Sequence, residues 1–268
     1  MKNIPGLQTI VRDPAGAVIG LDFDGTLSPI VPDPASARIH PRALAVLADL
    51  GRLVGAVAIV TGRPPAMALR LGPGLADVPG LVILGHYGFE RWEAGRSSAP
   101  PPPPGVPRAM AELPLLLDAL GVRGATIEDK GRAVAVHTRR SPDPEAALAV
   151  LGEPLAKLAE KHALVVEPGR YVLELRPPGM DKGHALSLFL AERAARSVMF
   201  VGDDLGDLAA FDAVRASGLP GVNVCSGSAE VTALADRADL VVDGPDGVVE
   251  LLGELVAAIR DRTPSGSA

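Results

Sequence analysis

Cysteine is nearly missing from this chain. Cys225 is the only one in 268 residues, so no disulfide can form within it and a reducing compartment suits it best. It sits in Val-Asn-Val-Cys-Ser-Gly, which reads as a strand end where a lone thiol serves packing. Aromatic residues are scarce, at 3% with a single Trp, so the core has to be built from Ala, Val and Leu. No apolar run approaches the roughly 18 residues of a membrane span. No basic segment followed by an apolar stretch opens the chain, so no signal peptide is expected and the cytoplasm is the default. Positive charge is not in excess either: 26 Lys and Arg face 32 Asp and Glu, for a net charge of −6. That balance argues against nucleic acid or an anionic membrane as partner. It leaves a phosphate ligand open, because a local site can gather a metal, a Lys and amide donors.

What is present is globular: 47% hydrophobic and 22% charged residues, in a length that allows one large domain or two modest ones. Residues 16–24 form a short apolar run ending in two aspartates. Gly55 to Val60 repeats that plan up to Thr61-Gly62-Arg63, and Ser197 to Val201 repeats it up to Gly202-Asp203-Asp204. Such runs predict strands buried on both faces, as in a parallel sheet. Helical patterns lie between them: from Pro41 to Leu50, from Lys182 to about Ala195 behind a capping Asp181, and a last helix capped by Asp246. The alternation predicts a doubly wound α/β domain.

The middle differs. Residues 125–128 and 133–138 are β-rich around Lys130-Gly131, and residues 163–166 and 171–175 flank Glu167-Pro168-Gly169-Arg170. These predict two hairpins on either side of a helix over residues 143–162, softened at Gly152 and Pro154. The expectation is an inserted α+β unit of ββαββ type over residues 105–176, with the core domain formed by 1–104 and 177–268. Pro100 to Pro104 reads as a stiff spacer, and the tail from Asp261 as frayed.

Each of the three apolar runs ends in residues suited to a phosphate or a cation, and ligands of open parallel sheets bind beyond the carboxyl ends of the strands. If the strands are neighbours, Asp22, Asp24, Thr61 and Asp203 share one crevice. One carboxylate of Asp22-Phe23-Asp24 can attack phosphorus while the other protonates the departing oxygen. Gly25 allows a tight turn, and Mg2+ is the natural bridge among three carboxylates. Thr61 and Lys182 supply donors for the phosphoryl oxygens.

Asp-Phe-Asp-Gly-Thr-Leu, Thr-Gly-Arg, Asp-Lys-Gly and Gly-Asp-Asp, in this order, resemble the four motifs of haloacid dehalogenase-like phosphatases. The resemblance implies Asp22 as nucleophile, Asp24 as acid/base, and Thr61 and Lys182 as phosphate binders. It implies Asp203, with Asp22 and the carbonyl of Asp24, as Mg2+ ligands, Asp204 and Asp207 as supporting residues, and the inserted unit as a cap.

Further segments are similar to trehalose-6-phosphate phosphatases in particular. These are Ser-Pro after Leu27, Gly85-His86-Tyr87-Gly88-Phe89-Glu90, Glu128-Asp129-Lys130, His137-Thr138-Arg139 and Glu174-Leu175-Arg176-Pro177. By that likeness Lys130, His137, Arg139 and Glu174 grip sugar hydroxyls, and His86, Tyr87 and Glu90 line the substrate site. Gly62 and Arg63 are counted with the substrate site as well, Arg63 either reaching the phosphate or only beginning a helix before Pro64-Pro65. On alternation alone Glu174 is an exposed strand position. Tyr87, Thr138, Met180 and Gly206-Asp207-Leu208 depart from that family's usual residues. The expected activity is hydrolysis of trehalose 6-phosphate. The alternatives are another phosphosugar or pseudo-disaccharide phosphate, and a catalytically silent binding subunit. Oligomeric state is not legible, and a monomer is compatible with the sequence.

Overall fold

The computed structural model describes residues 4–101, 104–169, 171–179, 181–227 and 233–262. Arg170, Met180, the Pro102-Pro103 part of the proline run and the tail beyond Arg262 lie outside the described residues. The chain divides into two compact units, Met1–Ala99 with Asp181–Ala268, and Pro100–Met180. The limits read from the sequence, 105 and 176, fall inside the second.

The first unit opens with α1 (Pro5–Arg12), β1 (Ala17–Leu21), α2 (Ala43–Gly51), β2 (Ala56–Val60), α3 (Pro65–Leu71), β3 (Leu81–Gly85), β4 (Glu90–Glu93) and β5 (Arg96–Ser98). The second holds α4 (Gly105–Leu120), β6 (Thr126–Asp129), β7 (Val134–His137), α5 (Pro144–Lys161), β8 (Val165–Gly169) and β9 (Val172–Arg176). The chain then completes the first unit with α6 (Lys182–Glu192), β10 (Ser197–Gly202), α7 (Leu208–Ala216), β11 (Gly221–Gly227), β12 (Leu240–Asp243) and α8 (Gly244–Arg262).

The large sheet runs β12-β11-β10-β1-β2-β3-β4-β5, parallel from β12 to β3 and antiparallel at β4 and β5. Period-2 alternation serves two cores here, because both faces are covered. Ile19, Leu21, Val57, Ile59, Met199 and Val201 face α1, α2, α3 and α8. Val18, Ala58, Val60, Val198 and Phe200 face α6 and α7. Gly20 makes room for this: a β-carbon there would lie 2.7 Å from the Phe200 ring, which meets Phe211 edge-on. The fold is thus a doubly wound α/β sheet. Its order reverses at β1, with β2 on one side and β10 on the other.

The second unit is an antiparallel sheet, β6-β7-β9-β8, with α4 and α5 on one face. Val134, Val136, Leu173 and Leu175 pack on Leu113, Leu117, Leu151 and Leu155. Its order is αββαββ, one helix more than the sequence suggested. Pro107 in the first turn and Pro114 within α4 hide that helix from a sequence reading. Helix α5 runs unbroken through Gly152 and Pro154.

Three helix boundaries differ from expectation. Helix α2 starts at Ala43 behind a Pro41-Arg42 turn. Helix α6 stops at Glu192, because Ala194 adopts a left-handed φ of 46°. Asp246 lies inside the first turn of α8 and pairs with His40 at 2.9 Å instead of capping the helix.

Candidate active site

The tips of β1, β2 and β10 meet at the reversal point of the sheet. Asp22 continues β1, its amide donating to the Val201 carbonyl at 2.9 Å. Asp203 follows β10, and its amide is bound by Asp207 Oδ2 at 3.1 Å. The carboxylates of Asp22, Asp203 and Asp207 offer ligand atoms within 4.8 Å of one another, and all three residues are buried. Lys182, the first residue of α6, reaches Asp22 Oδ1 at 2.8 Å and Asp207 Oδ1 at 2.7 Å. Asp181 caps that helix by accepting from the His184 amide at 2.7 Å, which sets where Lys182 emerges.

The turn after β1 is stitched to its surroundings. Gly25 adopts φ +72°, and a β-carbon there would lie 1.9 Å from Asp203 Oδ2, so only glycine lets the two strand tips close. Ser226, at the end of β11, donates to the Gly25 carbonyl at 2.6 Å. The sequence reading did not single out Ser226; a polar residue at a strand end next to β10 was the available signal.

The charge count at the cluster is unbalanced, with one ammonium among Asp22, Asp203, Asp207 and the adjacent Asp204. Burial first, and then the neighbouring acids, push Asp22 well above the usual carboxylate range, Lys182 acting the other way. The same causes push Asp203 up to about 7 and raise Asp207. Burial alone would lower Lys182; Asp207 and Asp22 outweigh it and hold its ammonium charged. Buried hard oxygen donors carrying surplus negative charge fit a divalent cation such as Mg2+.

Asp24 lies apart from this cluster. Its carboxylate is bound by Arg63, Nε to Oδ2 at 2.6 Å and Nη2 to Oδ1 at 2.7 Å. Thr61 is buried at the tip of β2, and its hydroxyl accepts from the Arg63 amide at 3.1 Å. The loop after β3 leans on the same segment: the Tyr87 amide donates to the Thr61 carbonyl at 3.0 Å and the His86 amide to the Arg63 carbonyl at 3.1 Å. His86 and Tyr87 both take positive φ, 46° and 56°. A β-carbon on Gly62 would lie 2.7 Å from the Tyr87 hydroxyl. His86 is buried with Nδ1 3.1 Å from Glu90 Oε1. Asp204 is drawn into its own cap, accepting from the Gly206 amide at 2.9 Å.

In the second unit, strand register puts Glu128, Ala135, Glu174 and Glu167 side by side on the face opposite the helices. Lys130 pairs with Glu174, and His137 Nε2 lies 2.7 Å from Glu128 Oε2. Glu174 is buried, not exposed as alternation suggested, with the Lys130 ammonium laid against its carboxylate. Arg139 is exposed in the turn after β7, and Arg132 is buried with its guanidinium on the Pro100 carbonyl.

Comparison with other proteins gives the family and the fold. The trehalose-phosphatase family profile matches residues 20–245. A trehalose-phosphate phosphatase of Mycobacterium leprae is 35% identical, over 97% of this chain and 63% of its own length. The chain therefore spans less than two thirds of such mycobacterial relatives. Aspergillus fumigatus trehalose-6-phosphate phosphatase superposes with a TM-score of 0.72 at 25% identity, covering 94% of this chain and 97% of that one. A haloacid dehalogenase-like hydrolase from Bacteroides thetaiotaomicron shares the fold at a TM-score of 0.64 and 20% identity, over 89% of this chain and 99% of that one. The profile match extends from within β1 to the start of α8, and on that extent the chain belongs to the trehalose-phosphatase family.

Proposed function

We propose that the chain is a Mg2+-dependent phosphatase that hydrolyses trehalose 6-phosphate to trehalose and phosphate in the cytoplasm. The observation that carries the reading is the buried cluster of Asp22, Asp203 and Asp207 around Lys182, at the reversal point of a sheet in a member of this family. Asp22 is the nucleophile. One of its oxygens bonds to phosphorus, the bond from phosphorus to the sugar oxygen breaks, and the electron pair left on that oxygen takes the proton of Asp24. Water then attacks the aspartyl phosphate and gives its proton to Asp24, and the Asp22 carboxylate leaves phosphorus. Lys182 and Thr61 bind the phosphoryl oxygens, and Asp207 holds Lys182 in place. Asp22, Asp203 and the Asp24 carbonyl would hold Mg2+. When bound, it offsets the charge of the acids and of the phosphoryl group.

Pro100–Met180 is read as the cap domain. Its helix-free face carries Lys130, His137 and Glu174 as sugar-hydroxyl contacts, with Arg139 from the adjoining turn, a polar set suited to a sugar. A second reading, the same chemistry on another phosphosugar or pseudo-disaccharide phosphate, draws on Tyr87, whose phenol covers Gly62. Phosphate release from a panel of sugar phosphates tests both. Trehalose 6-phosphate is expected to have the highest kcat/KM, and Asp22→Asn to lose turnover by about four orders of magnitude or more while staying folded. Faster turnover of another ester selects the second reading, and an active Asp22→Asn refutes the mechanism.

A further inference from the structure

We infer that Arg63 works through Asp24: it is the positioning residue that fixes the acid/base carboxylate, not a group that grips the phosphate. The inference rests on the proposed role of Asp24 and adds the residue that sets its geometry. The two bonds, 2.6 Å from Nε and 2.7 Å from Nη2, engage both oxygens of Asp24 with one edge of a planar guanidinium. A fork of this kind fixes the carboxylate plane as well as its position. An edge committed in this way offers nothing to a phosphate.

Arg63 is itself well held. Its amide donates to the Thr61 hydroxyl at 3.1 Å, and its carbonyl accepts from the His86 amide at 3.1 Å. Its guanidinium carbon lies 5.9 Å from the centre of the Phe23 ring. The Arg63 side chain is 14% exposed and that of Asp24 41%, so a more enclosed anchor holds a more open reactive group. Asp22-Phe23-Asp24 thus supplies nucleophile, platform for the anchor, and acid/base in three consecutive residues.

The restraint has a chemical use. Asp24 stands two residues from Asp22, yet its carboxylate is not part of the Asp22, Asp203 and Asp207 cluster. A free carboxylate there would choose among several rotamers; the fork selects one. A proton donor must bring an oxygen to about 2.6–3.2 Å from the leaving oxygen, and a misplacement of about 1 Å can cost roughly 100-fold in rate. Arg63 holds that placement by orienting Asp24, and does so for both proton transfers of the proposed reaction.

Leaving-group dependence separates this role from a phosphate grip. A sugar oxygen departs with its electron pair only if Asp24 supplies a proton, whereas 4-nitrophenolate departs without one. The value of kcat/KM reports events up to the departure of the first product, so hydrolysis of the aspartyl phosphate does not enter it. Arg63→Lys, which keeps the charge and loses the fork, and Arg63→Gln are assayed with trehalose 6-phosphate and 4-nitrophenyl phosphate, beside Asp24→Asn. The expected result is a loss of about 30-fold or more in kcat/KM for the sugar ester, in kcat more than KM, with less than about 3-fold for the aryl ester. Retained aryl-ester activity in the same preparation shows that the variant is folded. Equal losses on both esters, or no loss on either, overturn the inference. If Asp24→Asn is itself unselective, the acid/base reading fails and the inference falls with it. If Asp24→Asn is selective and the Arg63 variants are not, only the role given to Arg63 fails.

Discussion

Asp203 is a residue whose folded environment works against its own charge. Its acidity is weakened to about 7 by burial first and then by Asp204 and Asp207, with Lys182 opposing. An acid whose folded-state value lies above the unfolded 3.8 opposes folding as pH rises. The penalty is absent below about pH 4, grows up to about pH 7, and is constant above. Asn at this position imitates the protonated form. In chelator, Asp203→Asn is therefore expected to be more stable than the parent protein at pH 8, by up to about 4 kcal/mol, with the difference vanishing near pH 4. Added Mg2+ is expected to stabilise the parent more than the variant, because the cation binds a folded site the variant has weakened. Urea unfolding at the two pH values, with and without Mg2+, measures all of this. A variant less stable than its parent at pH 8 in chelator contradicts the charge argument. Conventional stability logic, in which each side chain improves the fold, fails at this site, as the proposed role of these acids in holding a cation requires.

Secondary-structure elements place these groups, and their sequences differ in how openly they announce themselves. Strands β1, β2 and β10 are continuous apolar runs because both faces of the sheet are covered, so they were readable without periodicity. Short edge strands such as Arg96–Ser98, all exposed, carry no such signal. Helix α4 was hidden by its prolines, whereas α5 was legible as a helical stretch over residues 143–162 and α6 through its capping Asp181. The cap of α5 is testable: Asp143 Oδ1 accepts from the Ala146 amide at 3.0 Å. Asp143→Ala is expected to lower the stability of the Pro100–Met180 unit by about 1 kcal/mol, read as a lower urea midpoint, and Asp143→Asn to cost less. Equal effects of the two substitutions would show that the side-chain cap is not what holds the helix end.

At the scale of the molecule, each unit has its own interior. The second is closed by Leu113, Leu117, Leu151, Leu155, Val134, Val136 and Leu175, with its hairpins complete between Thr126 and Arg176. A segment of this kind, expressed as Pro100–Met180 alone, is expected to give a cooperative urea transition with mixed helix and strand signals by circular dichroism. A featureless spectrum would show that its core depends on the rest of the chain. Sequence by itself determined the α/β alternation, the tips at Asp22, Thr61 and Asp203, and the family resemblance, because motif order and apolar runs are local properties of a chain. Tertiary structure alone decided that Asp207 joins the carboxylate cluster, that Arg63 takes Asp24, and that Glu174 is buried against Lys130. The pairings of Arg63 with Asp24 and Lys130 with Glu174 span 39 and 44 residues. Such partners meet only where strand order and register bring distant tips together, and no local pattern records that.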